Sequence, residues 1–200
     1  MAKKSEAKKR AILDAALEEF ESKGFNCARV DDIAARAGVS KGTIYNYFEN
    51  KEALLTGLAE EVAGQLQSDL TTSAAAREPL PDQVLNAAGF ILKENGRGRS
   101  ARVLRLIWGE GLRRPEVTRP IYMKLLLPFI EGDNPFMDGI RNSNLPQFVK
   151  DWPMAIAAPL VQGLLWQTLA GDVAPLDLRS YYESYLKFLC GGEGTQSFTT

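Results

Sequence analysis

Residues 37–55 read AGVSKGTIYNYFENKEALL. Gly38 interrupts one helical pattern, Val39 plugs the corner with an apolar side chain, and Ser40 offers the hydroxyl of an N-cap for a new helix. That helix is predicted over Lys41 to Phe48, with Ile44 and Phe48, four residues apart, on its inward side. The other side carries Lys41, Gly42, Thr43 and Asn46: a cation, a bare backbone, a small hydroxyl and an amide. Glycine inside a helix costs about 1 kcal/mol against alanine. Close approach to a backbone or a base edge is a reason to accept that cost.

The flanking sequence gives this short helix its supports. Over residues 5–22, Ile12, Ala16 and Phe20 recur at four-residue spacing beside Leu13 and Leu17, with Asp14, Glu18 and Glu21 outside. That is the pattern of an amphipathic helix, and Gly24 stops it. A second helix is predicted from Val30 to Ala37, with Ile33, Ala34 and Ala37 inward and Asp31 and Asp32 favoured at its amino end. Three short helices with a glycine-containing turn between the last two match a helix-turn-helix. In that motif the second helix braces the third, which presents side chains to a major groove about 12 Å wide. A longer helix begins near Asn50, whose side chain can cap it, and Leu54, Leu58, Val62, Leu66 and Leu70 repeat along one face.

The remainder reads as helical throughout. Helices are expected over 82–95 and 100–112, separated by the loop NGRGRS (95–100), and over 116–131, kinked or split at Pro120 and Pro128. Residues 132–150 read as a long connection with short turns. Helices over 153–170 and 177–189 close an all-α fold of about nine helices. The expected division is a helix-turn-helix domain over 1–50, a larger helical domain over 51–190, and a flexible tail over 191–200.

Composition narrows the function. The 24 basic and 25 acidic residues leave a net charge of −1, which argues against a non-specific polyanion binder but allows a local basic patch. Five basic side chains crowd the first ten residues against Glu6 alone. Lys8, Lys9 and Arg10 can touch phosphates or enter a minor groove as an arm, or simply solubilise the end. Without any histidine, common zinc, haem and Ser-His-Asp arrangements cannot be assembled from one chain. GRG (96–98) and GEG (109–111) follow no strand, so they are no dinucleotide site. No enzyme, cofactor or metal is expected. Cys27 and Cys190 read as packing residues of a reduced cytoplasmic protein. No secretory signal or membrane span is expected, since acidic residues interrupt the first helix and PMAIAAPLV (153–161) is short and proline-broken.

AILDAALEEFESKGF (11–25) and VDDIAARAGVSKGTIYNYFENKEALL (30–55) resemble the TetR-type transcriptional regulators, over about residues 10–56. The resemblance implies that the third helix reads an operator through Lys41, Gly42, Thr43 and Asn46, started by Ser40. It implies that Tyr45 and Tyr47 grip phosphates, and that Lys51 holds a phosphate together with backbone N–H groups at the fourth helix's start. The chain departs from the family at Ala28 and Arg29, where relatives carry a Thr or Ser cap. Arg29 either touches a phosphate or lies on an exposed face, and Asn26 is an alternative cap.

A single short reading helix makes too few contacts for selective binding, so a homodimer on a palindromic double-stranded operator is expected. Its interface is assigned to the last two helices: Ile156, Leu160, Gly163 and Leu164 on the first, Leu178, Tyr182, Tyr185 and Leu189 on the second. The alternative is that both stripes only finish the monomer core. LRLIWGEGLRRPEV (104–117) resembles a segment of one branch of the family, marked by Glu110, Pro115 and Glu116. The resemblance implies a repressor relieved by a small-molecule effector. The apolar and aromatic candidates for its pocket wall, Leu66, Phe90, Leu104, Trp108, Tyr122, Leu126, Phe148 and Trp166, suit a hydrophobic or aromatic ligand. A helical adaptor that binds protein instead of DNA is the rival reading.

Overall fold

The stripe of Ile12, Ala16 and Phe20 is buried along its whole length, with no more than 1% exposure, and Leu13 and Leu17 are buried beside it. A computed structural model describes residues 2–127, 131–132 and 134–191. Among the described residues there is no strand, and eleven α-helices are present, against about nine expected. They are α1 (Ala2–Cys27), α2 (Val30–Arg36), α3 (Lys41–Tyr45), α4 (Lys51–Ala75), α5 (Leu80–Leu92), α6 (Arg99–Arg113), α7 (Pro115–Ile121), α8 (Pro135–Arg141), α9 (Gln147–Asp151), α10 (Ala158–Ala170) and α11 (Leu178–Leu189). The chain divides into two compact units, Met1–Ala63 with Val103–Leu125, and Gly64–Arg102 with Leu126–Thr200. α4 and α6 contribute turns to both.

The first unit is organised around α1. Gly24, with φ 75°, breaks the helix where its carboxyl end turns, a conformation L side chains rarely adopt. α2 packs on α1 and α3 on α2, filling a core of Phe20, Phe25, Ile33, Ile44, Phe48, Leu54 and Leu58. Each such side chain contributes about 1.5–3 kcal/mol by leaving water. α2 is locked in orientation by Glu19 of α1, which is 1% exposed and lies 2.6 Å from Lys23 and 3.3 Å from Arg36. Asn50 caps α4 as expected, its side chain accepting the Ala53 N–H at 2.8 Å.

In the second unit, α11 packs on α5 and α10. Asn95 ties the turn after α5 to the start of α11. Its amide donates to Leu176 O and its carbonyl accepts the Leu178 N–H, both at 2.8 Å. Asn95 holds φ 53° to do so, a left-handed conformation that asparagine tolerates better than most residues. Tyr182 and Tyr185 donate their hydroxyls to Ile156 O and Ala155 O at 3.1 and 2.8 Å.

Several boundaries depart from expectation where prolines intervene. The helix expected over 153–170 is a 3-10 turn (Pro153–Ile156) followed by α10, because Pro159 has no N–H and fits a first turn. The 116–131 helix splits after Ile121 into a π-helical turn, Tyr122–Leu126, following Pro120. The connection at 132–150 contains α8, capped by Asn134 accepting the Met137 N–H at 3.0 Å, and the single turn α9. Cys27 and Cys190 are both exposed and unbonded rather than packed. Beyond Gly191 the expected tail lies outside the described residues.

Candidate nucleic-acid interface

α3 is a short helix with two unlike sides. Ser40 Oγ accepts the Thr43 N–H at 3.1 Å and lies 2.9 Å from Thr43 Oγ1, so the cap and its partner hydroxyl are engaged locally. Ile44 and Phe48 are 1% and 5% exposed. α4 presses on Phe48 closely enough that a Cβ on Gly57 would meet Phe48 Cε1 at 2.8 Å. Lys41, Gly42, Tyr45 and Asn46 are exposed on the other side. A Cβ on Gly42 would find only Ser40 Oγ, at 3.9 Å. No described neighbour within the chain requires that glycine. α3 ends at Tyr45 with Asn46 as its C-cap, earlier than expected, although the N–H groups of Tyr47 and Phe48 both reach Ile44 O at 2.9 Å.

The flanking charges are more committed than the sequence suggests. Lys41 Nζ lies 3.0 Å from Asp31 Oδ1. Lys51 Nζ donates to Asn26 O at 3.0 Å and Ala28 O at 3.2 Å, and sits 4.8 Å from the Phe25 ring centroid. It therefore closes the carboxyl end of α1. Tyr47 Oη is 3.1 Å from Ser5 Oγ, a partner that sequence reasoning missed because the two lie 42 residues apart. That bond follows from α1 reaching back to Ala2. Lys8, Lys9 and Arg10 are consequently helical rather than a free arm, and Arg10 pairs with Asp14 at 3.2 Å and Glu61 at 3.7 Å.

Arg29 stands at the N-cap of α2, exposed, with extended backbone and no side-chain cap. Asn26 does not replace it, since its Oδ1 accepts from Arg114 Nη1. Negative charge at that end comes from Asp31 and Asp32. Lys23 donates to Asp32 at 2.9 Å and thereby holds its carboxyl below the usual range.

The expected dimer residues are occupied within the chain. Ile156, Leu160, Leu164, Leu178, Tyr182 and Leu189 are at most 6% exposed, Gly163 is buried and Tyr185 half-buried. A Cβ on Gly163 would collide with Leu178 Cδ1, so its close approach serves α10 against the start of α11. Those stripes finish the monomer core. The same two helices expose Leu165, Trp166, Leu169 and Phe188, at 43%, 46%, 83% and 59%. Tyr181 donates to Gln162 at 2.7 Å and links the two outward rows.

Of the expected pocket wall, Trp108 and Tyr122 are half-buried and hydrogen-bonded in the first unit, where burial raises the Tyr122 phenol above its ordinary range. Leu104, in that unit, and Leu66, in the second, are half-buried. Phe90 is buried in the second unit, where Phe148 and Trp166 are about half exposed. The Trp166 indole donates to Ala174 O at 2.8 Å. The side chain of Leu126 lies outside the described residues. A concavity of about 480 Å³ in the second unit is lined by Leu92, Asn95, Pro175, Leu176, Asp177 and Arg179, and by none of the expected residues. Among the described residues no cluster of His, Cys, Asp or Glu could hold a metal, and no helix is long and apolar enough to cross a membrane.

The family profile described as "Bacterial regulatory proteins, tetR family" matches residues 12–58, which covers α2, α3 and most of α1. A fatty acid metabolism regulator protein of Bacillus subtilis (strain 168) is 40% identical over 82 residues, 39% of this chain and 42% of that protein. The match thus spans about two fifths of that relative's length. Solved structures extend the likeness in fold. FadR from Bacillus subtilis, in complex with stearoyl-CoA, superposes with a TM-score of 0.65 at 22% identity, covering 92% of this chain and 98% of the other. A transcriptional regulator from Rhodococcus sp. RHA1 gives 0.69 at 17% identity, covering 90% and 95%. The likeness to the bacterial regulatory proteins of the tetR family thus rests on residues 12–58, and the solved structures share the all-α fold.

Proposed function

We propose that the chain is a dimeric, sequence-specific DNA-binding repressor, released from a palindromic operator by a small, largely hydrophobic ligand. One observation carries the reading: α3 buries Ile44 while Lys41, Gly42, Tyr45 and Asn46 face outward, with no described intrachain neighbour that demands Gly42. A helix whose one outward glycine clears space beside a lysine and an amide suits a base edge in a major groove. Lys41 and Asn46 are the base readers, with Gly42 and Thr43 at the closest approach. Ser40, Tyr45, Tyr47 and Lys51 lie around the same helix, where phosphate contacts fix register. Arg29, exposed at the start of α2, is a further phosphate contact.

Two-fold pairing through α10 and α11 uses the outward residues Leu165, Leu169 and Phe188, in place of the buried stripe. A ligand releases DNA only if its affinity differs between the two shapes of the protein. Within the first unit, Leu104, Trp108 and Tyr122 remain candidate ligand contacts. The acyl-CoA bound by the Bacillus subtilis FadR structure supports testing long-chain acyl-CoA thioesters first.

The test is selection of duplexes from a randomised pool, followed by titration of the tightest duplex across salt concentrations. A two-fold symmetric site should emerge, with a log–log salt slope near −5 to −9 for about six to ten phosphates. A pool that enriches no sequence, with the protein instead capturing another protein, overturns the proposal in favour of an adaptor. Acyl-CoA thioesters should raise the melting temperature and release the selected duplex.

A further inference from the structure

Lys41 is held before any DNA arrives. Its ammonium lies 3.0 Å from Oδ1 and 3.1 Å from Oδ2 of Asp31, a residue on the neighbouring helix α2. Both side chains are about half exposed, at 50% and 53%, so the pair is open to an incoming duplex. Asp32, the next carboxylate, is engaged elsewhere, with Lys23 at 2.9 Å. The two first-turn acids of α2 thus differ in what they touch: Asp32 ties α2 to α1, and Asp31 ties α2 to a side chain of the reading helix.

Resting on the reading of Lys41 as a base contact, we propose that Asp31 is a specificity-determining residue that acts by positioning Lys41. An ammonium has three donors. At a favourable base pair it can keep Asp31 on one donor and give the others to the O6 and N7 acceptors of a guanine. Asp31 then fixes the lysine's direction, which a four-carbon stem alone leaves free. On an unfavourable sequence the nearest acceptors are phosphate oxygens. Lys41 reaches them only by leaving Asp31, which strands a carboxylate beside a polyanion. The pair therefore weakens random binding while leaving operator binding almost untouched. An Asp31 that merely stabilised the amino end of α2 would treat every duplex alike.

The experiment uses the full chain, the tightest duplex selected by the unaltered protein, and a scrambled duplex of equal length. Asp31→Asn should tighten binding to the scrambled duplex by roughly three- to tenfold, from one exposed ion pair lost in each of two subunits. The selected duplex should change by less than about twofold. The salt slope on scrambled DNA should steepen by about two, as two lysines join its phosphates. In a Lys41→Ala background, Asp31→Asn should move both duplexes equally, because the coupling has been removed. Asp32→Asn serves as the control and should leave the ratio of affinities unchanged. An equal change on both duplexes, or an undiminished Asp31→Asn effect without Lys41, overturns the role assigned to Asp31. If no duplex is selected at all, the DNA-binding reading fails instead, so the two failures are distinguishable.

Discussion

Arg114 lies over the ring of Phe25, its guanidinium carbon 5.0 Å from the ring centroid. The same side chain reaches Glu110, 6% exposed, at 2.7 Å, and donates to Asn26. One residue just past the end of α6 thus gathers a buried carboxylate, an aromatic face and the carboxyl end of α1. All four groups lie in the first compact unit. Arg114→Ala would leave Glu110 buried without its cation and should cost about 1.5–3 kcal/mol in urea unfolding. Arg114→Lys keeps the charge but loses the planar fork, so it should fall between. Adding Glu110→Gln to Arg114→Ala should recover part of the loss. A double variant as unstable as the two losses added together would show that the pair is not coupled.

Lys51 meets the Phe25 ring as well, while donating to the carbonyls of Asn26 and Ala28. A pure phosphate contact would affect only DNA binding, whereas this geometry gives Lys51 a second task in the free protein. Lys51→Ala should therefore lower stability without DNA by about 0.3–1 kcal/mol, the usual worth of a cation at a helix's carboxyl end. It should also weaken every duplex and flatten the salt slope by about two per dimer. Denaturant melts without DNA test the first effect and salt titrations the second. Unchanged stability would remove the capping role.

Features set by near neighbours along the chain are legible in the sequence itself. Ser40 and Asn50 cap the helices they precede, and Gly24 and Gly38 hold positive φ. Each depends on residues within four positions, as does the buried stripe of α4. Periodicity marks Ile156, Leu160 and Leu164 as a buried stripe but not what buries it. A face against the rest of its own chain and a face against a second copy carry the same apolar repeat. The Ser5–Tyr47 and Asn26–Arg114 bonds join positions 42 and 88 residues apart, which no local pattern encodes. Pairing of Lys41 with Asp31 depends on the angle between α2 and α3, which only packing supplies.

Gly42 separates folding from binding. In the free chain its Cβ position is empty apart from Ser40 Oγ at 3.9 Å. Gly42→Ala should therefore stabilise the free protein, by up to about 1 kcal/mol from helix propensity. The added methyl points where a duplex is expected, so affinity for the selected operator should fall at the same time. Melting temperature and duplex titration should move in opposite senses. If both improve, the outward side of α3 does not approach DNA closely.

The outward and inward rows of α10 give the clearest contrast for assembly. Leu169 is 83% exposed and Leu164 is fully buried, although both are leucines on one helix. Leu164→Ala opens a cavity and should cost about 2–5 kcal/mol in unfolding, whatever the oligomeric state. Leu169→Glu removes no packing within the chain, yet places a charge in the proposed interface, where it lacks a partner. Sedimentation should then show single subunits at concentrations where the unaltered chain is dimeric, with the monomer still helical. Operator binding should fall with it, since each reading head alone makes half the contacts. A Leu169→Glu protein that stays dimeric and binds normally would move the interface away from this face of α10.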